Sequence, residues 1–230
     1  MKIIVCGFGR PIEGILPYLV NRFGPDNVAL YTHADEDVFG THAIKIASQL
    51  DIWRSVSNIN ESKMPFEPDV IASVWYRYII KPHVIESVNG KIFNAHTSLL
   101  PRHRGRSPVP WAIIENDQMT GVTFHYIDEG IDTGNIILQA TTQITPDDTQ
   151  TTLFDRLVHL TESYFGAALA LVSSGFNGIP QHGEANYNSG GCPYDGEIDP
   201  NWPFGKILRF IRAMTYPPLP YARLDRKSTR

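Results

Sequence analysis

The strongest constraint on the fold is the alternation of short apolar runs with amphipathic helical segments over the first 95 residues. Residues 2–6 form a continuous apolar run that turns at Gly7-Phe8-Gly9, which is typical of a buried strand entering a tight turn. Apolar residues then recur at helical spacing over 11–23. The pattern continues with predicted strands at 28–31, 70–74 and 91–95 and predicted helices at 42–50 and 82–88. This alternation predicts an α/β fold with a Rossmann-like, mostly parallel, doubly wound sheet covered by helices on both faces.

The second half of the chain has a different pattern. Two strands are predicted at 122–126 and 135–139, joined by the acidic loop 127–134. Thr152-x-x-Asp155 resembles a capping box and predicts the start of a long helix that stops near Gly175. Glycine, proline, asparagine and aspartate then become frequent, so we expect irregular structure over 176–205 before a short helix at 206–214.

These patterns predict one main domain at 1–178 and a small irregular C-terminal extension at 179–230. The extension is expected to contain a loop, a short helix and a polar tail that frays at 225–230. We expect the apolar side chains around Ile207, Phe210 and Ile211 to be exposed and to be candidates for a homodimer contact.

Composition excludes several classes of protein. The formal charge of −4 gives no electrostatic footprint for nucleic acid or for an anionic membrane. With two cysteines, no apolar stretch near 18 residues and no leader pattern, we expect a cytoplasmic chain without a disulfide framework. The eight histidines show no H-E-x-x-H or paired zinc spacing, so no metal is expected.

The first glycine-rich turn does not predict a nicotinamide cofactor. The third glycine of G-x-G-x-x-G is replaced by Ile12, and the second strand runs into Thr32-His33 without an acidic residue for a ribose. Gly9 still allows close approach of the backbone, and Arg10 lies at the start of the first predicted helix, where anions bind. Gly9 and Arg10 are therefore candidates for holding an anionic substrate.

The segment Asn94-Ala95-His96 is the most informative of the chain. Because residues i and i+2 of a strand point to one side, both polar side chains can converge at the end of a buried strand. An amide beside an imidazole suits a carbonyl oxygen that gains negative charge. The alternative is a satisfied core histidine beside a turn asparagine, and the spacing alone leaves both interpretations open.

Asp132 lies in the acidic loop between two glycines. It could orient and charge-stabilise His96, as carboxylates do for imidazoles in many sites. It could equally belong to a solvated acidic turn, and a calcium loop is disfavoured because the ligand spacing and closing glutamate are missing.

Taken together, the run from Asn94 to Pro101, the following Gly105 and Asp132-Thr133-Gly134 resemble the folate-dependent formyltransferases. Asn94 and Asp132 are 38 residues apart (132 minus 94), as in that family. The resemblance covers about residues 1–175 and implies a catalytic domain with 10-formyltetrahydrofolate as co-substrate and without metal. It implies that Asn94 and His96 stabilise the oxyanion while Asp132 assists His96.

The resemblance also suggests positions for the two substrates. Expected folate contacts, mainly through backbone, are Arg77, Tyr78, Ile79, Asp128 and Glu129. Expected acceptor contacts are Gly9, Arg10, Ser98 and Arg106. The segment from Arg104 to Pro108, Trp111-Ala112-Ile113 and the C-terminal stretches at 195–199 and 211–218 resemble the branch that N-formylates nucleotide-linked amino sugars for lipopolysaccharide O-antigen biosynthesis.

Other acceptors and roles remain as alternatives. They are glycinamide ribonucleotide, against which the C-terminal extension argues, and a non-catalytic Rossmann-like ligand-binding relative. The transfer-RNA branch resembles this chain over the same stretch but continues into a further β domain, whereas this sequence stops at Arg230 and has no basic surplus for a large RNA.

Overall fold

The computed structural model describes residues 1–34, 42–188 and 190–224, which are built around a seven-stranded sheet. Its strands are β1 (Ile3–Gly7), β2 (Val28–Tyr31), β3 (Trp53–Ser55), β4 (Val70–Val74), β5 (Ile92–His96), β6 (Met119–Tyr126) and β7 (Ile136–Gln143). The helices are α1 (Arg10–Phe23), α2 (Ala43–Gln49), α3 (Pro82–Ser87), α4 (Pro108–Ile114), α5 (Gln150–Ser173) and α6 (Phe204–Ala213).

The strand order is β3-β2-β1-β4-β5-β6-β7. Strands β1 to β5 pair in parallel, whereas β6 pairs antiparallel with both of its neighbours, β5 and β7. Alternate residues of β1 enter two separate cores: Ile3 and Val5 pack with α1 and α5, whereas Ile4 and Cys6 pack with α3. Both faces of the sheet are therefore covered, as expected for strands that are apolar throughout. The predicted Rossmann-like, mostly parallel α/β fold is confirmed.

Three local elements differ from the sequence-based expectations. The strand β3 was not predicted because it is a three-residue edge strand that is half exposed and carries little apolar signal. The helix α4 was not predicted because it contains two prolines, although both lie in its first turn, where proline is tolerated because the N–H groups there have no partner within the helix. The capping box of α5 pairs Thr149 with Thr152, one turn earlier than the predicted Thr152-x-x-Asp155.

The described part of the C-terminal extension packs against the main sheet and does not form a core of its own. Ile179 bridges to Ile136 of β7, and Tyr187–Asn188 pair with Arg104–Gly105. Phe210 of α6 is fully buried, with its ring 5.2 Å from that of Trp202. The expectation that Phe210 is exposed for a dimer contact is therefore wrong, because the apolar side of α6 faces the core.

On α6, Leu208 and Ile211 remain exposed. The expected fraying of 225–230 concerns residues outside the described part of the chain. Within the described residues, no helix has the length and apolar character needed to cross a bilayer.

Candidate functional site

The carboxyl ends of β1, β4 and β5 meet at one edge of the sheet. In the register, Gly7 lies opposite Val74, and Val74 lies opposite Ala95, so the segments that follow these strands leave the sheet side by side. Antiparallel β6 brings His125 directly opposite Asn94. This edge is where ligands bind in open α/β sheets, and it carries the polar side chains described next.

Asn94 is held at both ends of its amide. Its Oδ1 accepts a hydrogen bond from the Ser73 hydroxyl at 2.9 Å. Its Nδ2 lies 3.3 Å from Nε2 of His125. The amide can therefore not rotate freely, and Nδ2 keeps a second N–H that this contact does not use.

His96 is buried, and each ring nitrogen has a different neighbour. Nε2 lies 2.8 Å from the carbonyl oxygen of His103, which can only accept, so Nε2 carries the proton. Nδ1 lies 3.5 Å from Oδ2 of Asp132. Burial lowers the pKa of His96 below its ordinary value, while Asp132 opposes that effect. Burial therefore favours the neutral ring, in which Nδ1 can accept a proton beside a carboxylate.

Asp132 adopts a left-handed backbone conformation, with φ of 53°. Its Oδ2 accepts a hydrogen bond from the Gly105 N–H at 2.8 Å, and its Oδ1 lies 3.3 Å from Nε2 of His125. Burial alone raises the pKa of this carboxyl, but His96, His125 and the Gly105 N–H together hold it well below its usual range. Asp132 is therefore a charged group fixed between two imidazoles.

His125 was not among the predicted site residues. Its Nδ1 donates to the carbonyl oxygen of Tyr126 at 2.8 Å, which leaves Nε2 to face Asn94 and Asp132. A sequence signal existed, because the strand 122–126 was predicted and His125 is a polar residue in it. The antiparallel register that puts His125 beside Asn94 was not readable from the sequence.

A second buried histidine supports the loop after β5. His103 Nε2 lies 2.7 Å from Asp117 Oδ2, and Arg102 lies 2.6 Å from the other oxygen of that carboxylate. Among the described residues, His103, Glu115 and Asp117 offer ligand atoms within 4.8 Å of one another. The Arg102 guanidinium contacts Glu115 at 2.9 Å as well as Asp117. Both carboxylates therefore already have a positively charged partner where a metal ion would otherwise supply the charge.

The predicted acceptor contacts do not all lie on open surface. Ser98 is fully buried, and its hydroxyl donates to the carbonyl of Arg102 at 2.6 Å, which holds the loop after β5. Gly9 caps α1 with φ of 84°, and the exposed Arg10 forms an ion pair with Asp155. Arg106 is exposed, and its backbone N–H donates to Asn188 at 3.2 Å.

The predicted folate contacts lie on two loops, one after β4 and one after β6. The Arg77 guanidinium stacks over Phe8, with its central carbon 4.6 Å from the ring centre. The backbone N–H of Arg77 donates to Nε2 of His33. Tyr78 and Ile79 expose 43% and 76% of their surface, which leaves an apolar face suited to a flat heterocycle. The Ile79 carbonyl already accepts from Asn60 at 2.9 Å.

Asp128 and Glu129 lie in the acidic loop 127–134, which follows β6. Asp128 accepts from the Gly130 N–H at 3.1 Å and from the Thr133 hydroxyl at 2.5 Å, so it shapes the loop itself. Glu129 and Ile131 are exposed beside it. Both predicted residues, Asp128 and Glu129, are exposed, and the Asp128 carboxylate is already engaged within the loop.

Comparison with known proteins agrees with this geometry. The formyl transferase family model matches residues 43–169, which is more than half of the chain. The chain therefore belongs to the formyl transferase family, as the resemblance of the Asn94, His96 and Asp132 motifs implied.

The similarity extends further to particular members. The chain is 33% identical over 228 residues to the GDP-perosamine N-formyltransferase of Brucella melitensis, covering 97% of this chain and 88% of that protein. A sugar 3N-formyl transferase solved in the presence of dTDP and 5-N-formyl-THF matches with a TM-score of 0.80 at 25% identity, covering 94% and 80% of the two chains. An N-formyltransferase from Helicobacter canadensis in complex with folinic acid and dTDP-3-aminofucose matches with a TM-score of 0.77 at 25% identity, covering 94% and 81%.

Proposed function

We propose that this enzyme transfers a formyl group from 10-formyltetrahydrofolate to the amine of a nucleotide-linked amino-deoxy sugar. The observation that carries the proposal is the Asn94, His96 and Asp132 cluster at the edge of the sheet, in a chain 33% identical over 97% of its length to a sugar N-formyltransferase. The product would be an N-formylated sugar nucleotide, made in the cytoplasm for a surface polysaccharide such as an O-antigen.

The first step is attack of the neutral sugar amine on the formyl carbon. The oxygen of the tetrahedral intermediate gains negative charge, and the second N–H of Asn94 donates to it. His125 supports this role, because its Nε2 lies 3.3 Å from the Asn94 amide nitrogen and limits rotation. A preorganised donor of this kind typically contributes about 2.7–4 kcal/mol to the stability of the transition state.

Proton transfer falls to His96. Because Nε2–H donates to the His103 carbonyl, a neutral ring has no second N–H for the oxyanion, and Nδ1 accepts the proton of the amine. The resulting imidazolium lies 3.5 Å from the Asp132 carboxylate, which stabilises its charge. The same proton then passes to the folate nitrogen as the bond from that nitrogen to the formyl carbon breaks, which releases tetrahydrofolate.

The acceptor is held by a different set of groups in this proposal. Arg10 and Arg106 are the candidates for the nucleotide diphosphate, since guanidinium groups bind phosphate oxygens bidentately. Gly9 allows close approach at the start of α1. The exposed Leu208 and Ile211 on α6 are the candidates for a homodimer contact.

The proposal is tested by incubating the protein with 10-formyltetrahydrofolate and a panel of GDP-, dTDP- and UDP-linked amino sugars. We expect one sugar nucleotide to gain the mass of a formyl group, and we expect the folded His96→Ala variant to lose this activity. Glycinamide ribonucleotide and a nucleotide sugar with a hydroxyl in place of the amine serve as control acceptors. Formylation of glycinamide ribonucleotide in preference to every amino sugar would assign the enzyme to purine synthesis and refute the proposed acceptor.

A further inference from the structure

A half-buried glutamine of the C-terminal extension joins the two loops that hold Asp132. Gln181 Nε2 donates to the carbonyl oxygens of Asp132 and Gly134, at 2.8 Å and 2.9 Å. Its Oε1 accepts from Nη2 and Nε of Arg104, at 2.7 Å and 3.2 Å. Both ends of the Gln181 side-chain amide are thus engaged. One end binds the acidic loop 127–134, and the other binds Arg104, the residue before Gly105.

The acidic loop 127–134 holds Asp132 in a left-handed backbone conformation, with φ of 53°. This conformation is uncommon for a residue with a Cβ, so hydrogen bonds from neighbouring segments help to maintain it. The direction of its carboxylate depends on that conformation, since Oδ2 must reach the Gly105 N–H while facing Nδ1 of His96. Gln181 binds the carbonyl of Asp132 itself and therefore fixes the peptide plane next to the carboxylate.

Residues that follow Gln181 in the C-terminal extension hold the segment from His103 to Gly105. Asn186 accepts the His103 N–H at 2.6 Å with its side chain and the Arg104 N–H at 3.0 Å with its carbonyl. A Cβ on Gly105 would lie only 2.6 Å from the Asn188 carbonyl, so the two segments approach at a distance that only glycine allows. The carbonyl of His103 is in turn the acceptor for His96.

We propose that Gln181 is a positioning residue that holds the Asp132 carboxylate against His96, so that the C-terminal extension completes the catalytic site. The inference rests on the proposed formyl transfer for its kinetic readout. Gln181 acts through the Asp132 and Gly134 carbonyls and the Arg104 guanidinium, and not through contact with a reacting atom.

The test compares Gln181→Met with Gln143→Met. Methionine has a similar length and volume but no hydrogen-bonding amide, and it adds no charge near His96. Gln143 is an exposed glutamine at the end of β7 away from the cluster. We expect Gln181→Met to lower kcat by about 10–100-fold, because misplacing a catalytic group by about 1 Å costs up to about 100-fold. KM for both substrates should stay close to the wild-type values, and the thermal midpoint should fall by only a few degrees, because the lost hydrogen bonds lie at a half-exposed side chain. Gln143→Met should match the wild type throughout.

A second readout does not depend on activity. The titration of His96 followed by NMR should move to lower pH in Gln181→Met, because the ring loses part of its contact with a negative charge. The kcat of an Arg104→Ala, Gln181→Met double variant should be no lower than that of Gln181→Met alone, because both substitutions break the same connection between Arg104 and Gln181.

The outcomes separate the two proposals. If the wild-type protein formylates no acceptor, the proposed function fails, and the His96 titration alone decides the role of Gln181. A normal kcat in Gln181→Met, or a His96 titration identical to the wild type, overturns the inference. A loss of activity accompanied only by a large drop in thermal midpoint also overturns it, because that result indicates a general structural role.

Discussion

Asp132→Asn isolates the charge beside His96 from the shape of the site. Asparagine keeps an oxygen that can accept the Gly105 N–H but removes the negative charge 3.5 Å from Nδ1. At this distance and an effective dielectric constant of about 20, two unit charges attract each other by about 5 kcal/mol. The carboxylate therefore favours the imidazolium over the neutral ring, because an opposite charge nearby stabilises the protonated form.

The sign of the effect follows from the direction of the shift. Burial already lowers the pKa of His96, and Asp132 opposes this lowering. Removing the carboxylate therefore lowers the His96 pKa further, and the limb of the pH–rate profile that reports His96 moves to lower pH. The imidazolium formed during proton transfer also loses its partner, so kcat at neutral pH should fall by about 100-fold or more.

The assay is formyl transfer measured across the pH range for the wild type, Asp132→Asn and Asp26→Asn. Asp26 is exposed in the turn before β2, at the opposite edge of the sheet, and its variant should behave like the wild type. A pH limb that stays in place in Asp132→Asn, whatever the loss in kcat, would refute the electrostatic coupling of Asp132 to His96.

Three further changes test separate parts of the site. Asn94→Ala should lower kcat by about 10²–10³-fold without unfolding the protein, because it removes one oxyanion donor, and steady-state kinetics with circular dichroism check both statements. Ser98→Ala should lower the free energy of unfolding by about 0.5–1.5 kcal/mol, as seen by denaturant titration, because the hydrogen bond from the buried hydroxyl to the Arg102 carbonyl is lost; a raised KM for the acceptor with normal stability would favour the predicted acceptor contact instead. Asp117 has a pKa held below its usual range by His103 and Arg102 despite the opposing effect of burial, so its contribution to stability is present above a pH of about 4 and is lost as the pH falls. The stability of Asp117→Asn should therefore depend less on pH in this range than that of the wild type, which acid unfolding curves measure.

The strands that the sequence predicted most clearly are those whose side chains are buried on both faces. β1 and β2 are continuous apolar runs and β4 is interrupted only by Ser73, because each lies between two cores, and such runs are visible without any knowledge of their neighbours. The edge strand β3 has only a weak pattern of this kind, since two of its three residues are exposed. In α4, proline propensity argued against a helix that tertiary packing nevertheless stabilises, with Ala112 and Ile113 buried.

The candidate site also contains residues that the sequence predicted and residues that it did not. Asn94 and His96 were predicted because two residues on one strand share a side of it, which is local geometry. His125 reaches Asn94 through the register of an antiparallel pair, and registers depend on long-range contacts. The same holds for the acceptor of His96, since the His103 carbonyl is brought there by a loop that Asn186 holds from a distant part of the chain.

Gln181 shows why the extension could not be assigned from sequence. It lies in a stretch rich in glycine and proline, where a single glutamine has no periodic or motif context and irregular structure is the correct prediction. Irregular backbone can still position a site, provided that specific hydrogen bonds fix it, and here they run from Gln181 to the Asp132 and Gly134 carbonyls. The backbone of Asp132 is therefore bound by a residue 49 positions further along the chain (181 minus 132). Truncating the extension before Gln181 should consequently impair catalysis even where the seven-stranded sheet still folds.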